Sequence, residues 1–188
     1  MRPVNLPAGL EDKGVEIYIH KGELRCIYNQ MIVPFELLPD SIREVFVTRL
    51  MQDKPALVSL QRDFGLSEAR QMLVQYIKCN FGNFDGTADI DEDGLVVNEC
   101  WDCGHRGECP GEGKVCSRLQ GPNGLLTRRE TEVFFLLISG LAHKQIADHL
   151  QSTEATVATQ VKMLREKLGC HSSIEVMNFA LKRKMLLI

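Results

Sequence analysis

The chain has 188 residues, a formal net charge of −3 and 44% hydrophobic residues, which suits one folded domain or two small ones with packed cores. It has no apolar run of about 18 residues and no basic-then-apolar segment at its start, so we expect neither a membrane span nor secretion and predict a cytoplasmic protein. From Leu126 onward, nine Lys and Arg stand against six Asp and Glu, a net of +3, and the rest carries −6. A basic end on an acidic body suits a module that presents one face to phosphate.

The first part of the chain predicts a β-hairpin. Residues 15–19 and 24–28 alternate apolar and polar side chains, and Gly22 stands between them where a tight turn needs positive φ. Residues 31–35 predict a short edge strand, because Pro34 lacks the N–H that a central strand requires.

Three helices are predicted to follow the hairpin. Ser41 and Glu44 have the spacing of a capping box. The second helix is predicted to begin after Asp53 with Pro55 in its first turn, and Ser67 to cap the third. A lone hairpin is marginally stable, so we expect it to pack against these helices.

A cysteine-rich stretch over residues 79–116 predicts a metal site. Seven cysteines in a chain with no export signal favour metal thiolates or free thiols over disulfides. Two residues between Cys100 and Cys103 is a metal-knuckle spacing, and four thiolates satisfy tetrahedral zinc. The stretch has little apolar surface, so a metal would supply its folding energy. The predicted zinc ligands are Cys100, Cys103, Cys109 and Cys116, with Cys79 as an alternative ligand.

Two other interpretations of this stretch stay open. The spacing of Cys79, Cys100, Cys103 and Cys109 is similar to that of the cluster cysteines in WhiB-like iron–sulfur regulators, although the Gly-Trp-Gly-Gly turn of that family is absent. That resemblance implies a [4Fe–4S] cluster as the alternative cofactor. The other interpretation is a loop of reduced thiols without metal.

The last third of the chain predicts four helices with marked ends. Thr127 and Glu130 have the pattern of a capping box at the first helix, which Gly140 ends. A short second helix is predicted over about residues 144–150.

The third of these helices is predicted to start at Thr153 and to end at Gly169. Its apolar stripe consists of Val157, Val161, Leu164 and Leu168. Ser172 and Glu175 predict a second capping box, for a fourth helix that runs through Lys184.

A short helix, a tight turn and a longer helix with a polar outer face predict a helix-turn-helix, whose second helix fits the major groove of B-DNA. The predicted base contacts are Thr156, Thr159, Gln160 and Met163. The predicted phosphate contacts are Lys144, Lys162, Arg165 and Lys167. The alternative is a four-helix bundle that binds no nucleic acid.

A set of motifs supports the DNA-binding interpretation. They are Leu126-Thr127-Arg128-Arg129-Glu130, Gly140-Leu141, Lys144-Gln145-Ile146-Ala147, Leu150, Thr156-Val157, Val161 and Lys167-Leu168-Gly169. Together they resemble the LuxR-type (GerE-like) DNA-binding domain over about the last third of the chain. The resemblance implies a tetrahelical fold whose third helix reads the groove and whose fourth helps to form dimers. Sigma-factor region 4 is similar, but the helix after Gly169 favours the LuxR type.

Three positions depart from the LuxR-type pattern. Ala158 stands where the family usually has Lys, which removes one expected phosphate contact. Gln160 replaces a frequent His and could read adenine through a bidentate amide pair. Ala142 replaces the usual Ser or Thr cap of the short helix, at a cost of about 1 kcal/mol.

We therefore predict a mainly α protein with a small N-terminal β-hairpin, a cysteine-rich metal-binding module and a C-terminal tetrahelical helix-turn-helix domain. The predicted boundaries are an α+β module over residues 1–119, a linker over 120–125 and the DNA-binding domain over 126–188. The predicted function is sequence-specific transcription regulation with a structural zinc site and no enzymatic activity. The alternatives are an iron–sulfur redox sensor and a protein-interaction adaptor.

The predicted partners follow from that function. They are double-stranded DNA, RNA polymerase or another regulator, and a second copy of the chain that packs through the last helix at Ile174, Met177 and Leu181.

Overall fold

The computed structural model describes residues 6–183 and 185. These residues fall into two compact units. The N-terminal unit contains residues 6–99 and 113–116, and the C-terminal unit contains residues 100–112, 117–183 and 185. Among the helices of these described residues, none is long and apolar enough to cross a membrane.

The N-terminal unit begins with the predicted hairpin. Strands β1 (Glu16–His20), β2 (Glu23–Tyr28) and β3 (Met31–Pro34) form an antiparallel sheet in that order. Lys21 and Gly22 both have positive φ, +51° and +81°, so the turn is the type that matches the twist of a hairpin. The third strand lies at the edge of this sheet, as its proline requires. The predictions of a hairpin and an edge strand are confirmed.

Three helices follow this sheet and share a core with it: α1 (Asp40–Gln52), α2 (Lys54–Arg62) and α3 (Ala69–Phe81), preceded by a 3-10 turn at Phe35–Leu37. Their shared core includes Ile17, Cys26, Phe46, Leu60, Ile77 and Phe81, all fully buried. The prediction of three helices is confirmed. The start of the second is also as predicted, because the Asp53 carboxylate accepts a hydrogen bond of 3.0 Å from the Ala56 N–H.

Two predicted caps in this unit are wrong. The first helix starts at Asp40 without a side-chain cap, because Pro39 supplies the extended N-cap backbone and places Ser41 inside the first turn. The third helix has Glu68, not Ser67, as its N-cap residue, again without a side-chain hydrogen bond. Both errors displace a helix start by one or two residues and leave its buried face unchanged.

Buried carboxylates tie the segment after the third helix to the first strand. Asp89, which is 2% exposed, accepts a hydrogen bond of 2.6 Å from the Ile17 N–H through Oδ2. Glu16, 1% exposed, accepts hydrogen bonds from the Asp85 and Gly86 N–H groups at 2.9 and 2.6 Å. Burial, with the nearby charges of Glu99, Glu16 and Asp85, raises the pKa of Asp89 to about 10.

The C-terminal unit contains four helices and a small hairpin. The helices are α4 (Arg128–Ile138), α5 (His143–His149), α6 (Glu154–Leu168) and α7 (Ser173–Lys182), and the hairpin pairs β4 (Gln120–Gly121) with β5 (Gly124–Leu125). Their core contains Phe134, Ile138, Ile146, Val161, Leu164 and Val176. The four predicted helices are confirmed, although the predicted end of the last one at Lys184 lies outside the described residues.

The helix ends in this unit follow the sequence signals closely. Thr127 and Glu130 form the complete capping box, in which each side chain accepts a hydrogen bond from the backbone N–H of the other residue. Gly169 ends α6 in the left-handed conformation at φ +68°. The Ser172 hydroxyl caps α7, but Glu175 accepts from the His171 N–H, so the second predicted box is only half formed.

The segment predicted as a linker packs against α6. A Cβ added at Gly121 would collide with the Lys167 carbonyl oxygen, so a larger residue would force the hairpin away. The Asn123 backbone N–H and side-chain amide donate to the Lys167 and Glu166 carbonyls at 3.0 and 2.8 Å. These bonds satisfy carbonyls that the end of a helix otherwise leaves unpaired. The segment is therefore a hairpin, and the predicted domain boundary beside it stays a prediction.

Candidate nucleic-acid interface

The helix-turn-helix is built from α5, a short turn and α6. Ile146 and Ala147 of the first helix and Val157 and Val161 of the second are buried against each other and against the core. The small Ala147 lets the two helices approach closely. Between them Gln151 adopts a left-handed conformation at φ +47°, which reverses the chain within four residues. The buried faces therefore fix the outer face of α6 relative to the rest of the unit.

The predicted base contacts lie on that outer face. Thr156, Thr159 and Met163 are exposed, and Gln160 is half-buried. Thr153 caps the helix by accepting the Thr156 N–H at 3.1 Å, so this end is stably formed. The structure thus brings all four predicted residues onto one helix, over its first three turns.

The threonine hydroxyls on this face have partners inside the helix. Thr159 donates its hydroxyl proton to the Ala155 carbonyl at 3.0 Å. The Thr156 and Thr153 hydroxyls share a hydrogen bond of 2.8 Å. The Thr156 and Thr159 side chains therefore present their methyl groups at the helix surface, while their hydroxyls are engaged in hydrogen bonds.

The predicted phosphate contacts occupy different environments. Lys144 on α5 and Lys162 on α6 are exposed, and Arg165 is half-buried. Lys167 instead donates to Glu130 at 2.6 Å, and the carboxylate side chain is 1% exposed against 26% for the lysine. Its ammonium group already has a partner within the unit, so Lys144 and Lys162 are the cations best placed to meet DNA.

The Glu130–Lys167 pair was not anticipated as an interaction. It joins the first turn of α4 to the last turn of α6. Burial raises the pKa of Glu130, but the hydrogen bonds from Lys167 and Thr127 outweigh burial, so its pKa lies below the usual range. Only the capping pattern at Glu130 and the position of Lys167 near a helix end could have signalled it.

The cysteine loop, defined as residues 100–112, belongs to the same unit as the helix-turn-helix. At its centre lies Arg106, whose side chain is 2% exposed. Its guanidinium donates to the Trp101 carbonyl at 2.9 Å and to the Ser117 carbonyl at 2.5 Å. It also pairs with Glu112 at 3.5 Å, and Glu112 in turn accepts the Gly107 N–H at 2.8 Å. A buried ion pair therefore closes the loop.

One glycine fits this loop against α4. Gly107 has φ +83°, and a Cβ added there would collide with the Glu132 side chain and lie 2.9 Å from the Arg128 carbonyl oxygen. Glu132 itself pairs with Arg129 at 2.7 Å. The loop is thus seated on the helix that supports α6. Sequence reasoning missed Arg106 and Glu112, because a charged pair six residues apart carries no pattern of its own.

The predicted metal ligands are divided between the two units. Cys100, Cys103 and Cys109 belong to the C-terminal unit, whereas Cys79 and Cys116 belong to the N-terminal unit. None of these described cysteines forms a disulfide. Within residues 6–183 and 185, no three or more His, Cys, Asp or Glu side chains are grouped so that they could hold a metal ion.

The zinc-binding module therefore receives no support from the described residues. Burial is the largest influence on the pKa values of the Cys100 and Cys103 thiols and raises both. Zinc and the alternative [4Fe–4S] cluster stay predictions.

Known proteins share the C-terminal region. Residues 124–180 match the family model described as bacterial regulatory proteins, luxR family. The Uncharacterized response regulatory protein YgeK of Escherichia coli (strain K12) is 39% identical over 69 residues, which cover 37% of this chain and 46% of that protein. The Transcriptional activator protein ExaE of Pseudomonas putida is 37% identical over 79 residues, which cover 42% of this chain and 35% of that protein.

A third relative, the Fimbriae Z protein of Escherichia coli (strain K12), is 35% identical over 65 residues, which cover 35% of this chain and 31% of that protein. The chain thus spans less than half the length of each of these relatives. The predicted resemblance is confirmed: residues 124–180 form a LuxR-type helix-turn-helix domain, and the residues before them are not assigned to a family.

Proposed function

We propose that this protein, which carries a LuxR-type helix-turn-helix domain over residues 124–180, is a sequence-specific DNA-binding transcription regulator without enzymatic activity. The observation that carries the proposal is the exposed outer face of α6, held outward by a buried stripe and a capped N-terminus. A helix presented in this way fits the major groove, whose width admits one α-helix.

The residues of that face divide into two roles. Thr156, Thr159, Gln160 and Met163 would contact base edges, and Lys144, Lys162 and Arg165 would contact phosphates. Base contacts select a sequence, whereas phosphate contacts supply affinity that depends on salt. The basic charge of the chain from Leu126 onward supports the second role.

Fluorescence anisotropy with duplex DNA tests the proposal. The full-length chain should bind a sequence selected from a random duplex library more tightly than an unrelated duplex. Gln160→Ala should reduce that preference. Lys162→Ala should weaken binding to both duplexes alike and lower the salt slope by about 0.9.

Lys54→Ala, on an exposed lysine of the N-terminal unit, is the matched control and should change neither the sequence preference nor the salt slope. Failure to enrich any sequence would contradict the proposal.

The proposed dimer rests on the outer face of α7. Ile174 is 73% exposed and Leu181 40% exposed, with half-buried Met177 between them at helical spacing. Two copies that pack through this face would place two reading helices on one duplex. Ile174→Glu should lower the molar mass measured by sedimentation in the presence of a palindromic site, while a mass unchanged by that substitution would remove this face from consideration.

Zinc on Cys100, Cys103, Cys109 and Cys116 is retained as a proposal from cysteine spacing alone. Elemental analysis of the anaerobically purified chain, with a visible spectrum, tests it. About one zinc per chain and no colour would support a structural site, whereas iron with visible bands would support the cluster. If neither zinc nor iron is found, the metal site is wrong, and Arg106 and Glu112 hold the loop without a metal.

A further inference from the structure

We propose that α6 reads A·T base pairs through contacts with thymine methyl groups, and that Thr159 and Ala158 are the residues that select them. This inference rests on the proposed DNA-binding function and specifies the base pairs that the same surface recognises. It follows from the hydrogen-bonding and apolar groups that the first two turns of α6 present.

Thr159 presents a methyl group on the outer face of α6, while its hydroxyl is engaged within the helix. Its hydroxyl has one proton, which it donates to the Ala155 carbonyl at 3.0 Å. In the major groove guanine presents only the acceptors N7 and O6, and thymine presents the acceptor O4 with a C5-methyl group. Guanine is read best by a donor pair that spans both acceptors, whereas the single hydroxyl proton of Thr159 is engaged within the helix. Its methyl group remains, and a thymine methyl is the base-edge group that such a side chain contacts best.

The exposed neighbours of Thr159 in the first two turns of α6 are also largely apolar. Ala155 and Ala158 are exposed on the same two turns and have no polar side-chain atom. The Thr156 hydroxyl is engaged with Thr153 at 2.8 Å. The first half of the reading helix therefore presents a group of methyls, at the position where LuxR-type domains usually have a lysine beside Thr156-Val157.

The first two turns of α6 contain no arginine or lysine that could donate to guanine. Guanine is most often read by an arginine or lysine that spans N7 and O6. The one arginine of α6 is Arg165, which is half-buried in the second half of the helix. The exposed Lys162 lies one turn after Ala158 and Thr159. The nearest amide is that of Gln160, whose donor and acceptor suit the N6 and N7 of adenine. Adenine pairs with thymine, so the amide and the methyls favour the same base pair.

A uracil scan tests this inference. A binding sequence is first selected from a random duplex library, and each thymine in it is then replaced singly by deoxyuridine, which removes only the C5-methyl group. Wild-type protein should bind about fourfold more weakly at one or two of these substitutions, the effect of one buried methyl-sized group. The selected sequence should carry A·T pairs at those positions.

Two variants of the same residue assign the effect. Thr159→Ser keeps the hydroxyl and its helix hydrogen bond but removes the methyl, so its thymine-to-uracil affinity ratio should fall to about one at the position it contacts. Thr159→Val keeps a methyl and removes the hydroxyl, so its ratio should stay near the wild-type value. Because each ratio is taken within one variant, a general change in affinity cancels.

The outcomes separate this inference from the proposed function. A selected site that binds tightly but tolerates every uracil, or that carries guanine opposite the first two turns of α6, would overturn thymine recognition and leave DNA binding intact. A ratio unchanged in Thr159→Ser would overturn the assignment to that residue. The absence of any selected sequence would overturn the proposed function itself, and this inference with it.

Discussion

Two parts of the C-terminal unit are held in place by different forces. The helices α4 to α7 bury apolar stripes whose energy is spread over many side chains, such as Phe134, Val161 and Leu164. The cysteine loop lies against α4 but depends on one buried side chain, Arg106, which pairs with Glu112 and donates to the Trp101 and Ser117 carbonyls, and on one close glycine contact. The helical part should therefore tolerate single changes in proportion to their size, whereas the loop should fail at one residue.

The largest expected effect comes from removal of one partner of that ion pair. Arg106→Ala should lower the free energy of unfolding by about 3–5 kcal/mol, because it leaves the Glu112 charge buried without its partner. Urea unfolding followed by circular dichroism measures this. As the control, the double variant Arg106→Met with Glu112→Leu leaves no unpaired buried charge, so it should lose less than the single variant even though both variants lose the hydrogen bonds to the Trp101 and Ser117 carbonyls. A single variant as stable as wild type would refute the role of the pair.

A smaller loss in the free energy of unfolding is expected from the ion pair of the helical part, Glu130 with Lys167. Lys167→Met should reduce stability by about 1–3 kcal/mol, because Glu130 keeps its capping bond to Thr127 but loses a charged donor. The same urea experiment applies. Lys144→Met, at an exposed lysine on α5, is the control and should lie within about 0.5 kcal/mol of wild type. Equal effects of the two variants would show that the internal pair contributes nothing.

The N-terminal unit differs from both parts, because its buried carboxyl groups, Glu16 and Asp89, would carry charges of the same sign. Asp89 has a pKa of about 10 in the folded chain and an ordinary value of 3.8, so it is protonated when folded and ionised when unfolded between these values. Below pH 3.8 both states hold the proton and there is no penalty. As pH rises through the interval the unfolded state is favoured, so stability falls by at most about 1.4 kcal/mol per pH unit.

Urea unfolding at pH 6, 7, 8 and 9 measures this fall. Glu16, Asp85 and Glu99 face the same carboxyl and carry the same sign of charge, so they help to raise its pKa and widen the pH interval over which stability falls. Asp89→Asn, which cannot ionise, should flatten the profile over the same interval. A wild-type profile already flat between pH 6 and 9 would contradict a protonated Asp89.

The smallest expected effect lies in the turn of the helix-turn-helix. Gln151→Gly should raise the stability by about 0.5–1 kcal/mol, because glycine occupies the left-handed conformation at φ +47° without strain. Gln145→Gly, in the first turn of α5, is the control and should destabilise by at least about 1 kcal/mol, because it adds a glycine to the helix and removes the acceptor of the Ala142 N–H. A loss of stability in Gln151→Gly would show that the glutamine side chain contributes more than its strained backbone costs.

Sequence reasoning succeeded where the determining forces are local. The capping box at Thr127, the stop at Gly169 and the buried stripe beginning at Val157 all depend on residues within a few positions of each other. Helical periodicity records which face is buried, so the exposed face of α6 followed from the sequence. The motif set then identified the domain type.

Sequence reasoning was weaker where the partners are distant or where one spacing has several explanations. The pair of Glu130 with Lys167 spans 37 residues and leaves no local pattern. The spacing of Cys100 and Cys103 is shared by metal knuckles and by ordinary loops, and the described residues form no metal-holding group. The segment predicted as a linker shows the same limit, because turn residues mark a hairpin and a flexible spacer alike.

The proposed function requires that the outer face of α6 contacts duplex DNA. Amide chemical shifts of the ¹⁵N-labelled full-length chain, recorded during titration with the selected duplex, report this contact residue by residue. The account predicts that the largest changes fall at Thr156, Thr159, Gln160 and Lys162, with Lys144 affected and α1 to α3 unchanged. Changes concentrated in the N-terminal unit, or an α6 whose signals do not move at saturating DNA, would contradict it.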